Sequence, residues 1–151
     1  MIIEDKTIIK NFNPKFEVAS CIIEYDGKIL FLKRQKNKPQ PNKYSLPAGK
    51  IENDESVKDG IIREVFEETG INLKKNKVKY LKKRYVQYTN YQFIYHSFFY
   101  KLDNMPIIKI NEVEDQEYKW VDIKEVLSLD LIQDEDKCLE EFINNNCINR
   151  I

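Results

Sequence analysis

At 151 residues, with 25 Lys and Arg against 25 Asp and Glu, the chain has the length of one domain and no formal net charge. A domain of this size buries about 70% of its unfolded surface, enough for a core without staples. The charge balance lacks the basic excess of proteins that hold nucleic acid mainly by phosphate neutralisation, and no run is long and apolar enough for a membrane span.

Three scattered cysteines, Cys21, Cys138 and Cys147, form no C-x-x-C pair and are odd in number. They read as reduced thiols of a cytoplasmic protein, without a disulfide framework or a zinc site. The single histidine, His96, lies in an aromatic run and reads as a packed residue, so nucleophilic chemistry built on a histidine is disfavoured. The N-terminal MIIEDKTIIKNF resembles neither a signal peptide nor an anchor.

In chain order, residues 17–25 and 28–32 are two strand-like runs joined by Asp26-Gly27, which predicts a hairpin. Residues 35–43 carry Asn37, Pro39, Pro41 and Asn42 and predict a loop; Tyr44 to Leu46 is extended before Pro47, and Ala48-Gly49 is a tight passage. From Asp54 or Glu55 to Thr69, Val57, Ile61 and Val65 recur every four residues, with Ile62 and Phe66 widening an apolar helical face. Gly70 follows as a left-handed cap. Residues 78–102 predict two long strands turning near Thr89-Asn90, with apolar residues on both faces. A short strand at 117–121, a helix from Asp122 to about Leu129 and an amphipathic helix from Asp134 to Asn144 complete the chain, with Asn144 to Asn146 expected to fray. This order predicts a mixed sheet between helices, in one domain spanning 1–151.

The chemistry concentrates on the central helix. Glu64, Glu67 and Glu68 are surface neighbours at spacings of three and four, where like charges repel. Glu67 and Glu68 also occupy the last turn, where the helix dipole disfavours an anion by roughly 0.3–1 kcal/mol. A divalent cation reverses the sign of these terms, and carboxylate oxygens suit hard Mg²⁺ or Mn²⁺. Arg63 can hold a neighbouring carboxylate by a charge-assisted bond. In Pro47-Ala48-Gly49-Lys50, glycine lets the backbone approach a metal or phosphate, with the Lys50 cation beside it. A calcium loop starting at Asp54 fails: Lys58 stands where an oxygen ligand is required and Asp59 where glycine is.

Gly49, five residues, Glu55, seven residues, then Arg63-Glu64-Val65-Phe66-Glu67-Glu68-Thr69-Gly70-Ile71 resembles the Nudix box at every specified position. Leu30 to Arg34 and Lys43 to Glu52 are similar to the MutT-like branch, apart from Ala48 where many relatives have a second glycine. Good resemblance covers about residues 17 to 71, and a weaker likeness lies at Glu114 to Leu127. The resemblance implies a Nudix-type α/β/α sandwich around a mixed β-sheet. It implies Mg²⁺-dependent hydrolysis, with Mn²⁺ as a substitute, of a phosphoanhydride in a nucleoside diphosphate linked to another moiety, by water attack at phosphorus. Carried over, Glu64, Glu67 and Glu68 are expected to bind metal, the Gly49 region to supply a carbonyl, and Arg63 to orient Glu64. Glu55 has a supporting role, and Glu114 is an extra ligand or base, or else one surface acid among several.

Lys33, Arg34 and Lys50 are candidates to meet phosphate charge, and the aromatic run from Tyr85 to Tyr100 offers rings on which a base could stack. The expected partner is a small-molecule nucleotide, foremost a nucleoside triphosphate; a homodimer is left open. Two alternatives remain: a nucleotide sensor without catalysis, disfavoured by intact box glutamates, and an isopentenyl-diphosphate isomerase-like enzyme, disfavoured by the lone histidine.

Overall fold

The computed structural model describes residues 2–3 and 6–149, with side chains described as far as Asn145. Among these residues the chain forms eight strands and two α-helices: β1 (Ile2–Ile3), β2 (Phe16–Tyr25), β3 (Lys28–Arg34), β4 (Tyr44–Ser45), β5 (Ala48–Lys50), α1 (Val57–Thr69), β6 (Lys79–Tyr88), β7 (Tyr91–Lys101), β8 (Asp115–Asp122) and α2 (Glu135–Asn149). The main path of the sheet runs β1-β6-β7-β2-β3-β4, with β5 added to β2 and β8 to β3. Among the described strands β2 and β7 pair in parallel and the other pairs are antiparallel, so the sheet is mixed.

Side-chain alternation along the central strands divides the core in two. Ala19, Cys21, Ile23 and Leu30 pack with Ile61 and Val65 of α1 on one face. Ile22, Ile29 and Phe31 pack with Leu139 and Phe142 of α2 on the other. The result is the expected α/β/α sandwich. Cys21 and Cys138 are buried free thiols; Cys147 lies among residues whose side chains are not described. His96 is buried, with its ring nitrogens bonded to Tyr80 and Glu17, as a packed histidine.

The β2–β3 hairpin closes through Asp26 and Gly27, both at positive φ, 49° and 76°. Beyond that turn the two strands take different partners. Only Glu24 and Tyr25 of β2 pair with β3; from Val18 to Ser20 the same edge of β2 pairs with β5, while β3 continues against β4 and β8. The segment from Tyr44 to Lys50 therefore crosses from the edge of β3 to the edge of β2. The Cys21 amide donates to the Pro47 carbonyl and ties the crossing down. This fork in the sheet makes room for a cavity.

Several elements differ from expectation; β3 runs on to Arg34 and β8 begins at Asp115. Helix α1 begins at Val57, because Ser56 is its N-cap and accepts a bond from the Asp59 amide. Ala48 to Lys50 is a strand rather than a loop passage. Asp122 caps only a turn, accepting from the Lys124 amide, and the following helix is the three-residue 3-10 segment Val126–Ser128. Helix α2 continues through the asparagines to Asn149 instead of ending at Asn144.

Candidate active site

Helix α1 ends at Gly70, in the left-handed region at φ 76°. Its last carbonyls need donors from elsewhere. The Thr69 carbonyl accepts from the Lys109 amide at 2.8 Å and the Glu68 carbonyl from the Asn111 amide at 3.3 Å. The Asn111 carbonyl then accepts from the amides of Glu114 and Asp115, both at 3.0 Å. Satisfying the helix end thus docks a distant loop onto it and delivers two acids beside Glu68.

Arg63 is the hub of the box residues. Its guanidinium donates to both Glu55 oxygens at 2.8 and 3.1 Å, to Glu64 at 2.8 Å, to Glu67 at 3.2 Å and to the Lys50 carbonyl at 3.0 Å. These bonds hold the Arg63 proton more firmly than usual, with Glu55 contributing most. Glu55 also accepts from the Glu52 amide, and its carboxyl is held below the usual range chiefly by Arg63. Glu55 therefore positions Arg63, and Arg63 positions Glu64 and the start of the loop after β5.

Glu64 lies directly over Gly49. A Cβ built on Gly49 would collide with its carboxylate, so glycine there keeps open the space the acid fills. Burial pushes the Glu64 carboxyl up, against the pull of Arg63. Glu68 is pushed well up, first by burial and then by the charges of Asp115 and Glu64, although the Ala48 amide donates to it. Asp115 is 5% exposed and is pushed up to about 6 by burial, against the pull of Arg34 across the β3–β8 ladder. Glu114 is more open and pairs with Lys38 at 3.1 Å.

The three helix acids divide. Glu64 and Glu68 are drawn to the β5 side, at Gly49 and the Ala48 amide, while Glu67 is half exposed and engages Arg63. Among the described residues no three His, Cys, Asp or Glu side chains are gathered into a ready metal-holding group. The donor chemistry still fits a hard cation. Burial raises the proton affinity of Glu64, Glu68 and Asp115, and Glu68 also feels the charges of Asp115, Glu64 and Glu114. An ion such as Mg²⁺ would replace those protons and cancel the repulsion.

Glu68, Glu114, Asp115, Gly49, Lys50 and Arg34 all line one cavity of about 340 Å³. Arg34 is anchored by its Nε bond to the Pro39 carbonyl at 2.6 Å, and the Lys50 ammonium lies 4.4 Å from the centre of the Phe16 ring. Lys33 is not among the cavity-lining residues; alternation along β3 turns it to the other side, over the Tyr44 ring.

The rest of the cavity is aromatic on its sheet side. Phe16 and Phe93 stack at 5.2 Å with planes 14° apart, and Tyr91 and Phe93 at 5.8 Å and 25°. The start of α2 supplies the opposite rim, including the buried Glu135. Asp115, Phe16 and Glu135 are among the cavity residues that sequence reasoning missed. Asp115 was indistinguishable from its acidic neighbours without the docking of the loop on α1. Glu135 drew no site reading, because an acid in the first turn of a helix is ordinary.

The fold agrees with independent comparisons. The family model described as NUDIX domain matches residues 14–142. The chain belongs to the Nudix family. It is 44% identical over 55 residues to the CTP pyrophosphohydrolase of Escherichia coli (strain K12), covering 36% of this chain and 41% of that protein. It is 48% identical over 50 residues to the ADP-ribose pyrophosphatase of Methanocaldococcus jannaschii, covering 33% of this chain and 29% of that protein. The chain thus aligns with well under half the length of these relatives. The crystal structure of the MutT protein from Methanosarcina mazei Go1 superposes with a TM-score of 0.76 at 28% identity, covering 88% of this chain and 96% of that one.

Proposed function

We propose that the protein hydrolyses a phosphoanhydride bond in a nucleoside diphosphate linked to another group, with a nucleoside triphosphate as the foremost substrate, and that it requires Mg²⁺ or Mn²⁺. The observation that carries this reading is the placement of Glu68 and Asp115, with raised proton affinity, at one end of a cavity that is aromatic along its sheet side. Relatives named as pyrophosphohydrolases of CTP and of ADP-ribose support the reaction class.

Glu64 and Glu68, with Glu67 after a change of partner, would hold the cation beside the Gly49 backbone, and Glu114, which lines the same cavity as Glu68, would join them on release from Lys38. A bound divalent ion supplies two things: it makes water more acidic and it offsets phosphate charge. The protein supplies the rest. Arg63, fixed by Glu55, keeps Glu64 in place. Arg34 and Lys50 meet phosphate oxygens, while Lys33 no longer has a role in this reading. A carboxylate of the set takes the proton of the attacking water. The Phe16, Phe93 and Tyr91 rings stack the base and hold the reacting phosphate against the acidic end.

The test is a panel of nucleotides incubated with Mg²⁺ or with chelator, with products separated by chromatography. We expect a nucleoside monophosphate with Mg²⁺ and none with chelator. Tight binding without any product would leave a nucleotide sensor.

A further inference from the structure

We propose that the outer edge of β6 is a docking surface for an extended, acidic segment of a partner protein, which adds to the sheet as a further strand. Among the described residues, β1 covers that edge only at Tyr85 and Val86, so residues 79–84 have no strand on their outer side. The antiparallel pairing of Ile2 and Ile3 there shows that this edge accepts an added strand. Residues 74–84 hold seven Lys and Arg and no Asp or Glu. The zero net charge of the chain therefore conceals a segregated one. Nearby acids are too few to cancel it. Lys82 and Arg84 share Glu141, Lys75 meets Asp59 and Lys77 meets Asp103. Among the described residues Lys74, Lys79 and Lys83 have no ion pair, and Asp103 is faced by Lys74 and Lys101 as well as Lys77. Exposed Tyr80 and Leu81 add apolar surface to the same strip, at a bulge in the pairing with β7.

An open edge presents amides and carbonyls in alternation. Another backbone supplies acceptors and donors in the same alternation. Phosphates only accept, so a nucleic acid would leave the edge carbonyls unmet. The rings beside the edge are also engaged already. The Tyr80 hydroxyl is bonded to His96 at 2.8 Å and its ring meets Phe98 edge-on at 5.2 Å, while the Lys83 ammonium lies 5.5 Å from the centre of the Tyr85 ring. Lysines keep two like edges apart, which disfavours β6 of a second copy. The same charges attract a segment that carries acids. Each exposed ion pair contributes little, so the backbone bonds hold the strand and the charges select it. None of residues 74–84 lines the cavity, so this inference stands apart from the proposed hydrolysis.

The experiment is an NMR titration of the backbone amides of the intact protein with a capped peptide in which Glu alternates with Thr. Two comparison ligands are the same peptide with alternate backbone nitrogens methylated, which keeps the charge and removes donors, and an oligouridylate of equal charge. We expect saturable binding below about 1 mM, with the shifted amides in residues 79–84. Methylation should weaken it by about tenfold or more, and so should raising the salt from about 0.1 to about 0.5 M. The double variant Lys79→Glu, Lys83→Glu, which changes two exposed side chains, should lose binding by about tenfold or more. No binding, shifts elsewhere, equal binding of the methylated peptide, or unchanged affinity in the double variant would overturn the proposal. Tighter binding of the oligouridylate would overturn it in favour of a nucleic acid. Self-association of the protein through this edge would overturn it in favour of a second copy. If the double variant does not fold, the methylated peptide and the salt series decide alone.

Discussion

At the scale of single residues, the site is organised by who neutralises whom. Arg63 is shared among Glu55, Glu64 and Glu67, while Glu68 and Asp115 have no direct cationic partner at ion-pair distance among the described residues. Glu68→Gln should therefore remove a charge needed only when the ion and substrate are present. Its turnover should fall at least about a hundredfold while the melting temperature stays level or rises, because a repelled buried anion is gone. Near-normal turnover would take Glu68 out of the catalytic set. Gly49→Ala tests the space that Glu64 fills. The added methyl displaces the Glu64 carboxylate, so turnover should drop by about tenfold or more with circular dichroism unchanged.

At the scale of elements, helix α1 is placed by its two ends. Ser56 caps the first turn, and Ser56→Ala should cost about 1 kcal/mol in denaturant unfolding. A loss near zero would mean the cap contributes nothing net. The box residues, the hairpin, the helix and its left-handed Gly70 were legible in the sequence because each depends on local periodicity or on a turn that only certain residues adopt. The docking of residues 109–111 on the end of α1 was not legible, since it joins segments forty residues apart through backbone groups that leave no side-chain pattern. Asp115 was hidden for that reason. The shortened helix after Asp122 has a related cause: the chain must return to pair with β4 at Tyr44 and Leu131, and the turn leaves no room for further helix. Phe16 and Glu135 became cavity residues only through the fork between β2 and β3, which a linear pattern does not encode.

At the scale of the whole molecule, the buried acids set a pH dependence. Asp115 and Glu135 have folded pKa values of about 6, above their unfolded values. The folded form binds the extra protons, so the stability they lend is full below about pH 4 and is lost as pH rises through about 6. For Asp115 alone the change is about 3 kcal/mol. Groups held low by ion pairs, such as Glu55, act in the opposite sense and only in more acid solution. With chelator, the melting temperature should therefore be higher near pH 5.5 than near pH 7.5. Millimolar Mg²⁺ should narrow that gap by stabilising the protein at the higher pH. A melting temperature that rises with pH in chelator would contradict the assignment of repelled acids.

The proposed hydrolysis depends on a divalent ion bound by the acids at the end of α1. Titration with Mn²⁺, followed by electron paramagnetic resonance of the free ion, measures this directly in the intact protein and in Glu68→Gln. The prediction is saturable binding to the intact protein that competes with Mg²⁺ and weakens by about tenfold or more in the variant. Absence of binding at millimolar Mn²⁺, or equal binding by both proteins, would contradict it.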